Sequence, residues 1–247
     1  MPPVCSAAMQ AADTELGHLA RPGDAPAPGV VMIHDVWGLS DHTRDLAGRL
    51  AREGFAVLAV DLYRGLASRE VGGDPGRWIR GLSDPERLAV VQAAIDELAG
   101  GAARGCKVAV TGFCMGGQYA ILAAAGCTGL SAAVPFYGML SHAHGLLAPG
   151  AGEALDPARK PRSPLEAAAR VRCPMLALFG ADDAFIPVDD VLAFQQELAQ
   201  SGPHHVVSLY AGAGHAFLND TRPELHRPAI AREAWQRLLA WLHLHLG

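Results

Sequence analysis

The stretch KVAVTGFCMGGQYA occupies residues 107–120 and decides the fold of the chain. A short β-rich run leads into it, and a helix-forming run leaves it. The turn between them reads Gly112-x-Cys114-x-Gly116, a nucleophile elbow with cysteine in place of serine. Glycines suit this turn because the strand and helix backbones pass closely on either side of a strained residue. The pattern predicts that Cys114 lies at the top of a sheet, at the start of a helix whose dipole favours a thiolate.

A second interpretation of the same stretch is a glycine-rich turn around a buried, unreactive cysteine. The GxCxG pattern alone does not decide between the two interpretations. The choice depends on what the rest of the chain places near Cys114.

Strands and helices alternate along the chain outside this stretch. Continuous apolar runs bounded by turn residues predict buried parallel strands. These runs are 30–33, 55–60, 108–110, 132–136, 175–179 and 206–210. Helices are predicted over 41–53, from Ser83 to Gly100 with a Ser83–Glu86 capping box, from Pro187 onward, and over 228–246. The alternation predicts a single α/β domain over residues 1–247, with a mostly parallel sheet covered by helices on both faces.

Three segments fit this alternation less well. Residues 10–22 predict one short edge strand, and residues 62–82 predict an irregular connection. Residues 139–164 are rich in Gly, Pro, Ala and His, and we interpret them as a surface excursion that serves as a lid.

Three reactive residues follow the ends of predicted strands. They are Cys114, Asp183 and His215, and their order in the chain is nucleophile, acid, histidine. Ligands of parallel sheets bind at the carboxyl ends of the strands, and this chain order is that of α/β-hydrolases. The spacing therefore favours a Cys-His-Asp triad.

Composition and charge exclude several classes of function. The net charge is −5 without a Lys/Arg cluster, which argues against nucleic acid or an anionic membrane surface as a partner. No apolar run reaches the roughly 20 residues of a membrane span, and the first residues lack the pattern of a signal peptide. The 5 cysteines are dispersed without a CxxC pair, so we expect no metal site, no disulfide framework and a cytoplasmic location.

The chain resembles the dienelactone hydrolase family (carboxymethylenebutenolidases) of the α/β-hydrolase fold, from about Gly29 to its end. The matching motifs are HDVWGL (34–39), AVDLY (59–63), GFCMGG (112–117), FYG (136–138), DAFIP (183–187) and GHAF (214–217). The resemblance implies an α/β-hydrolase fold and a cofactor-independent hydrolase. It also favours Asp183 over its neighbour Asp182 as the acid, because the acid of the family precedes the Ala-Phe-Ile-Pro motif.

Further roles are assigned with the help of this resemblance. The backbone N–H groups of Val36 and Met115 are predicted to form an oxyanion hole. Asp35 is predicted to contact the resting thiol, or else to cap the helix that begins near residue 41. The aromatic residues Trp37, Phe113 and Tyr137 are predicted to line the substrate pocket, although packing is an equally common role for such residues.

Two positions depart from the enzymes of this family that cleave dienelactone. Asp35 stands where those enzymes have Glu, and Asn219 stands where they have a carboxylate-binding Arg. A second such Arg has no clear counterpart, although Arg69, Arg77 and Arg80 are near in sequence. The sequence therefore predicts a preference for uncharged lactones or esters.

Two functions are consistent with the sequence. The first is hydrolysis of a small lactone or ester through an acyl-thioester on Cys114, without a cofactor, by a monomer or weak homodimer. The second is a thiol-based redox sensor or ligand-binding protein on the same fold, for which Cys106 or Cys127 would have to approach Cys114.

Overall fold

The computed structural model describes residues 9–64, 66, 73–202 and 204–247. The strands in this part of the chain are β1 (Gln10–Asp13), β2 (Gly17–Arg21), β3 (Gly29–Ile33), β4 (Ala56–Val60), β5 (Val108–Phe113), β6 (Leu130–Phe136), β7 (Met175–Gly180) and β8 (His205–Tyr210). The α-helices are α1 (Asp41–Arg52), α2 (Pro75–Gly81), α3 (Asp84–Gly100), α4 (Met115–Gly126), α5 (Pro164–Ala167), α6 (Val188–Ala199) and α7 (Pro228–Leu246).

Within the described residues the strands form one sheet in the order β1-β2-β4-β3-β5-β6-β7-β8. Neighbours from β4 to β8 pair in parallel, whereas β1 and β2 pair antiparallel. The predicted mostly parallel sheet is confirmed. The prediction of one edge strand over residues 10–22 is wrong, because the N–H of Thr14 donates to the carbonyl of Gly17 over 2.7 Å and closes a tight turn between two strands.

The connections between strands place the helices on both faces of the sheet. The connection from β3 to β4 through α1 runs in one direction along the sheet, and the later crossovers through α3, α4 and α6 run in the other. Because such crossovers are right-handed, α1 lies on the face opposite to α3, α4 and α6. The direction reverses at β3, so the loops after β3 and β5 meet at a switch point where open α/β sheets bind ligands.

The core lies between the sheet and these helices. Every residue of β3, β4, β5 and β7 is buried, as the continuous apolar runs predicted. The last helix, α7, packs against β5, β6 and β7, and its Leu238 and Leu242 are fully buried. None of the described helices is both long and apolar enough to span a bilayer.

The connection over residues 62–82 contains a helix that the sequence did not predict. Helix α2 begins after Asp74, whose carboxylate accepts a 2.9 Å hydrogen bond from the N–H of Gly76. Trp78 on this helix packs edge-on against Tyr63, with ring centroids 5.5 Å apart. A seven-residue helix that includes two glycines has too few apolar positions to show a helical period.

The predicted capping box at Ser83 is also wrong, although α3 begins where expected. Ser83 makes no side-chain cap, and the next residue, Asp84, is buried instead. The carboxylate of Asp84 accepts hydrogen bonds from Lys160 over 2.6 Å and from the hydroxyl of Tyr119 over 2.7 Å. This buried ion pair anchors the end of the 139–164 excursion to α3 and α4.

Candidate active site

Cys114 occupies the turn between β5 and α4 in a strained conformation. Its backbone angles are φ 57° and ψ −118°, a region that costs about 1–3 kcal/mol for a residue with a side chain. A Cβ atom at Gly112 would lie 2.2 Å from the carbonyl oxygen of Gly116, and one at Gly116 would lie 2.2 Å from that of Ile33. These contacts explain both glycines of the elbow, because no side chain fits between the backbones of β3, β5 and α4.

The predicted donors of the oxyanion hole lie at the same edge of the sheet. Met115 is the first residue of α4, so its N–H has no acceptor within the helix. Val36 lies in the loop after β3, and its N–H donates to no acceptor in the described part of the chain. The loop and the helix terminus are adjacent, because the hydroxyl of Tyr63 contacts both the carbonyl of Val36, at 2.8 Å, and the sulfur of Met115, at 3.3 Å.

His215 and Asp183 follow neighbouring strands, β8 and β7, and are hydrogen-bonded to each other. The Nδ1–H of His215 donates to Oδ2 of Asp183 over 2.8 Å, and the N–H of Phe185 donates to Oδ1 over 2.9 Å. The Asp183 side chain is 0 % exposed, whereas its neighbour Asp182 is exposed. Asp182 takes part in the turn through its backbone, with its N–H donating to the carbonyl of Ala213 over 2.9 Å.

The charge state of His215 is set by two negative partners. Burial of the ring by itself lowers its pKa, but the interactions with the Cys114 and Asp183 side chains more than reverse this and raise the pKa to about 10. The other ring nitrogen, Nε2, is buried without a hydrogen-bond partner among the described residues. The ring therefore carries a proton at neutral pH that it can give to a group entering beside Cys114.

Asp35 makes a local turn. Its Oδ1 accepts a 2.8 Å hydrogen bond from the N–H of Trp37, and in the described residues no hydrogen bond joins its side chain to Cys114. It does not cap α1, because Ser40 is the N-cap residue and accepts from the N–H of Thr43. The contact of Asp35 with the thiol stays a prediction, and the alternative role as a helix cap is wrong.

A cavity of about 300 Å³ opens above Cys114 and His215. Trp37, Phe113 and Tyr137 line it, as do Asp35 and Val36. Burial, followed by the nearby charge of Cys114, raises the pKa of Tyr137 well above its usual range, so this phenol keeps its proton. The cavity has the size of a small-molecule site, and every predicted site residue except Met115 and Asp183 lies at its wall.

Arg222 is a cavity residue that the sequence did not single out. Its guanidinium carbon lies 5.0 Å from the centroid of the Trp37 ring, and no carboxylate of the described residues forms an ion pair with it. Asn219 also lines the cavity, but its Oδ1 accepts from the N–H and the hydroxyl of Thr221, at 3.0 and 2.6 Å. A cation therefore does lie at the cavity wall, although it is not supplied at the position of Asn219.

The arginines considered from the sequence lie elsewhere. Arg80 donates to the carbonyl of Leu146 over 3.1 Å and pairs with Glu153 at 3.2 Å, which pins the 139–164 excursion to α2. Arg77 is exposed on the same helix, and Arg69 lies outside the described residues. Leu146 of the excursion reaches the cavity wall, and a lid role for this segment stays a prediction.

The remaining wall of the cavity comes from residues that the sequence analysis did not assign to the site. Helix α1 and the loops around α2, β7 and β8 contribute them. They are His42, Thr43, Leu46, Pro75, Phe185, Ala216 and Leu225. Among the described residues, no group of three or more His, Cys, Asp or Glu side chains could hold a metal ion.

The other described cysteines lie far from Cys114. Cys106 precedes β5 and Cys173 precedes β7, so both lie at the amino ends of the strands, whereas Cys114 lies at the carboxyl end. The length of a strand at 3.3 Å per residue separates them from the elbow by about 20 Å. Cys127 caps the far end of α4, about 18 Å away at 1.5 Å per helix residue. Burial raises the pKa of Cys127 to about 11 and that of Cys173 to about 12. None of the three can resolve an oxidised Cys114 by forming a disulfide.

Comparisons with known proteins match nearly the whole chain. Residues 16–246 match the model of the dienelactone hydrolase family. A protein of Escherichia coli (strain K12) named "Putative carboxymethylenebutenolidase" is 33% identical over 240 residues, covering 92% of this chain and 82% of that protein. A Bradyrhizobium protein named "Probable 2-oxo-3-(5-oxofuran-2-ylidene)propanoate lactonase" is 31% identical over 238 residues, covering 95% of this chain and 91% of that protein.

A solved structure shows the same fold. The crystal structure described as a putative dienelactone hydrolase from Klebsiella pneumoniae subsp. pneumoniae MGH 78578 superposes with a TM-score of 0.82. It is 30% identical and covers 96% of this chain and 99% of that one. The chain thus has the α/β-hydrolase fold.

Proposed function

Because the chain belongs to the dienelactone hydrolase family, we propose that it hydrolyses a small lactone or ester through a Cys114-His215-Asp183 triad. The observation that carries the proposal is the strained Cys114 at the floor of the cavity, with His215 beside it and Asp183 bonded to His215 at 2.8 Å. Residues from three strand ends converge there, and a structural cysteine would need none of them.

The first half of the reaction acylates Cys114. The thiolate attacks the carbonyl carbon, and the developing oxyanion is held by the N–H groups of Val36 and Met115. The tetrahedral intermediate then expels the alkoxide or enolate oxygen, which takes the proton from Nε2 of His215. In a lactone the leaving oxygen stays attached to the acyl group, so the ring opens without losing a fragment.

The second half of the reaction hydrolyses the acyl-thioester on Cys114. A change in the pKa of His215 makes this step possible. Acylation turns the thiolate into a neutral thioester, which removes the largest influence that raises the pKa of His215. Burial then pulls that pKa down, and the neutral ring can accept a proton from a water molecule. The hydroxide attacks the thioester, the thiolate leaves with its electron pair, and His215 keeps the proton for the next cycle.

The residues that line the cavity also favour one class of substrate. The Bradyrhizobium relative is named for a lactone that carries a carboxylate. Arg222 supplies a cation at the wall of the cavity that no described carboxylate neutralises. We therefore propose that small lactones with an anionic substituent enter this site, rather than uncharged ones alone.

Trapping the acyl-enzyme tests the proposal. Incubation with p-nitrophenyl acetate followed by mass spectrometry is expected to show one acetyl group on the Cys114 peptide. Cys114→Ala should abolish both the adduct and turnover, whereas Cys106→Ser, at a half-buried cysteine remote from the cavity, should keep both. An acyl adduct on another residue with full turnover in Cys114→Ala would refute the triad.

The redox alternative gains no support from the geometry. A disulfide switch needs a second cysteine within about 7 Å of Cys114, measured between Cα atoms. The cysteines of the described residues lie at the other ends of β5, α4 and β7.

A further inference from the structure

His34 is a fully buried histidine that the hydrolytic steps above do not use. Its side chain is 0 % exposed and lies under the loop that follows β3. Buried polar side chains have hydrogen-bond partners, and both ring nitrogens of His34 do. Nδ1 lies 2.6 Å from the carbonyl oxygen of Asp35, and Nε2 lies 3.1 Å from the N–H of Leu62.

These two partners fix the tautomer of the ring. A carbonyl oxygen only accepts, so Nδ1 carries the hydrogen and donates to Asp35. An amide N–H only donates, so Nε2 presents its lone pair to Leu62. Asp61 Oδ1 is 3.7 Å from Nε2, which is too far for a hydrogen bond to compete. His34 thus donates through Nδ1 to one carbonyl group.

That carbonyl belongs to the peptide unit whose N–H is the Val36 donor of the proposed oxyanion hole. A trans peptide is planar, so its C=O and N–H point in opposite directions. Fixing the Asp35 oxygen on the buried side therefore directs the Val36 N–H away from the core, and Val36 lines the cavity. The N–H of Gly38 also donates to this oxygen over 3.2 Å, so both of its lone pairs are occupied.

The next peptide unit is held by other groups. The hydroxyl of Tyr63 donates to the carbonyl of Val36 over 2.8 Å, and the N–H of Trp37 donates to Asp35 Oδ1 over 2.8 Å. Loss of His34 would therefore leave the rest of the loop anchored and remove one of the two hydrogen bonds that hold the carbonyl of the 35–36 peptide.

We propose that His34 is a positioning residue, which orients and polarises the 35–36 peptide so that the Val36 N–H meets the oxyanion. The inference rests on the proposed function for the role of that N–H. A hydrogen bond to the carbonyl of a peptide strengthens its N–H as a donor, since hydrogen bonds in a chain polarise one another.

Two variants separate the two ring nitrogens. Asn has its amide nitrogen the same number of bonds from Cα as Nδ1, so His34→Asn can still donate to Asp35. Gln reaches as far as Nε2, so His34→Gln can accept from Leu62 but leaves Asp35 without its side-chain donor. Each variant loses one buried hydrogen bond, and the pair is therefore matched in stability cost.

The readouts are turnover of p-nitrophenyl acetate, alkylation of Cys114 by iodoacetamide, and the Val36 amide resonance in an ¹⁵N-labelled protein. In His34→Gln we expect kcat to fall about 10²-fold, with KM and the alkylation rate changed less than about threefold, since alkylation forms no oxyanion. The Val36 resonance should shift in His34→Gln, and His34→Asn should stay near the wild type in every readout.

Equal loss of turnover in both variants, or an unmoved Val36 resonance in His34→Gln, would overturn the positioning role. Failure of the proposed function is distinguishable from this result. Cys114→Ala with wild-type turnover would refute the triad, while the Val36 resonance would still report whether His34 orients the peptide.

Discussion

The His215 ring is tied to Asp183 by one 2.8 Å hydrogen bond, from Nδ1 to Oδ2, while the other oxygen of that carboxylate is held by the N–H of Phe185. Both oxygens of Asp183 are therefore engaged, and the imidazole has a fixed orientation. Nε2 is left as the ring atom that can exchange protons at the cavity.

The first prediction follows from this pair. Asp183→Asn should lower kcat about 10²–10⁴-fold, because an amide can donate to Nδ1 and hold the wrong tautomer. Asp182→Asn is the matched control, since that side chain is exposed and the residue acts through its backbone N–H. Steady-state kinetics on an aryl ester measure both, and the reverse ranking would show that the acid is assigned to the wrong residue.

The second prediction concerns the titration of His215. Its pKa is raised to about 10, so the ring should stay protonated through neutral pH and lose its proton only near pH 10. Asp183→Asn removes one negative partner and should move the titration to lower pH. Cys114→Ala removes the stronger one and should move it further. NMR of ¹³C-labelled histidine rings follows the titration, and a wild-type midpoint near 6.5 would contradict the raised pKa of His215.

The third prediction concerns the close approach of the α4 backbone to the end of β3 at the elbow. Gly116→Ala should destabilise the fold by about 1–3 kcal/mol or more, because the new Cβ would lie against the end of β3. Its Cβ would be 2.2 Å from the carbonyl of Ile33 and 2.6 Å from that of His34. Gly126→Ala, on the same helix with nothing within 4 Å of its Cβ, should be neutral or stabilise by about 0.5–1 kcal/mol. Urea unfolding compares the two, and equal midpoints would contradict the steric account.

The parts of the molecule that the sequence predicted each leave a pattern in a short stretch of residues. Buried parallel strands read as continuous apolar runs, so β3 to β8 were placed to within three residues, a common boundary error. The elbow was predictable because its glycines are required by contacts of the backbone. Asp183 and His215 could be placed because they follow strand ends, and all such ends meet at one edge of the sheet.

The parts that the sequence did not predict depend on long-range contacts. Ser83 and Glu86 have the spacing of a capping box, but burial of Asp84 against Lys160, 76 residues away, replaces it. Arg222 reaches the cavity from a turn without periodicity and packs on Trp37, far away in the chain. His34 looks like any loop histidine until the peptide that it contacts is known.

The last prediction concerns the charge of the substrate. The sequence favoured uncharged lactones because Asn219 replaces an arginine, but the guanidinium of Arg222 lies at the cavity wall, 5.0 Å from the centroid of the Trp37 ring. A hydrogen bond between charged groups contributes about 1.5–3 kcal/mol, and each factor of ten corresponds to about 1.4 kcal/mol. Arg222→Met keeps the apolar stem and should lower kcat/KM for a carboxylated lactone about 10–100-fold relative to a neutral lactone of similar size.

Arg77→Met removes an exposed arginine that does not line the cavity, and the ratio of the two kcat/KM values should stay at the wild-type level. The ratio is the informative quantity, because damage to the triad lowers both values together. An unchanged ratio in Arg222→Met would show that the guanidinium does not meet the substrate carboxylate. A fall in the ratio would place the anionic end of the substrate beside Trp37, at the opening of the cavity.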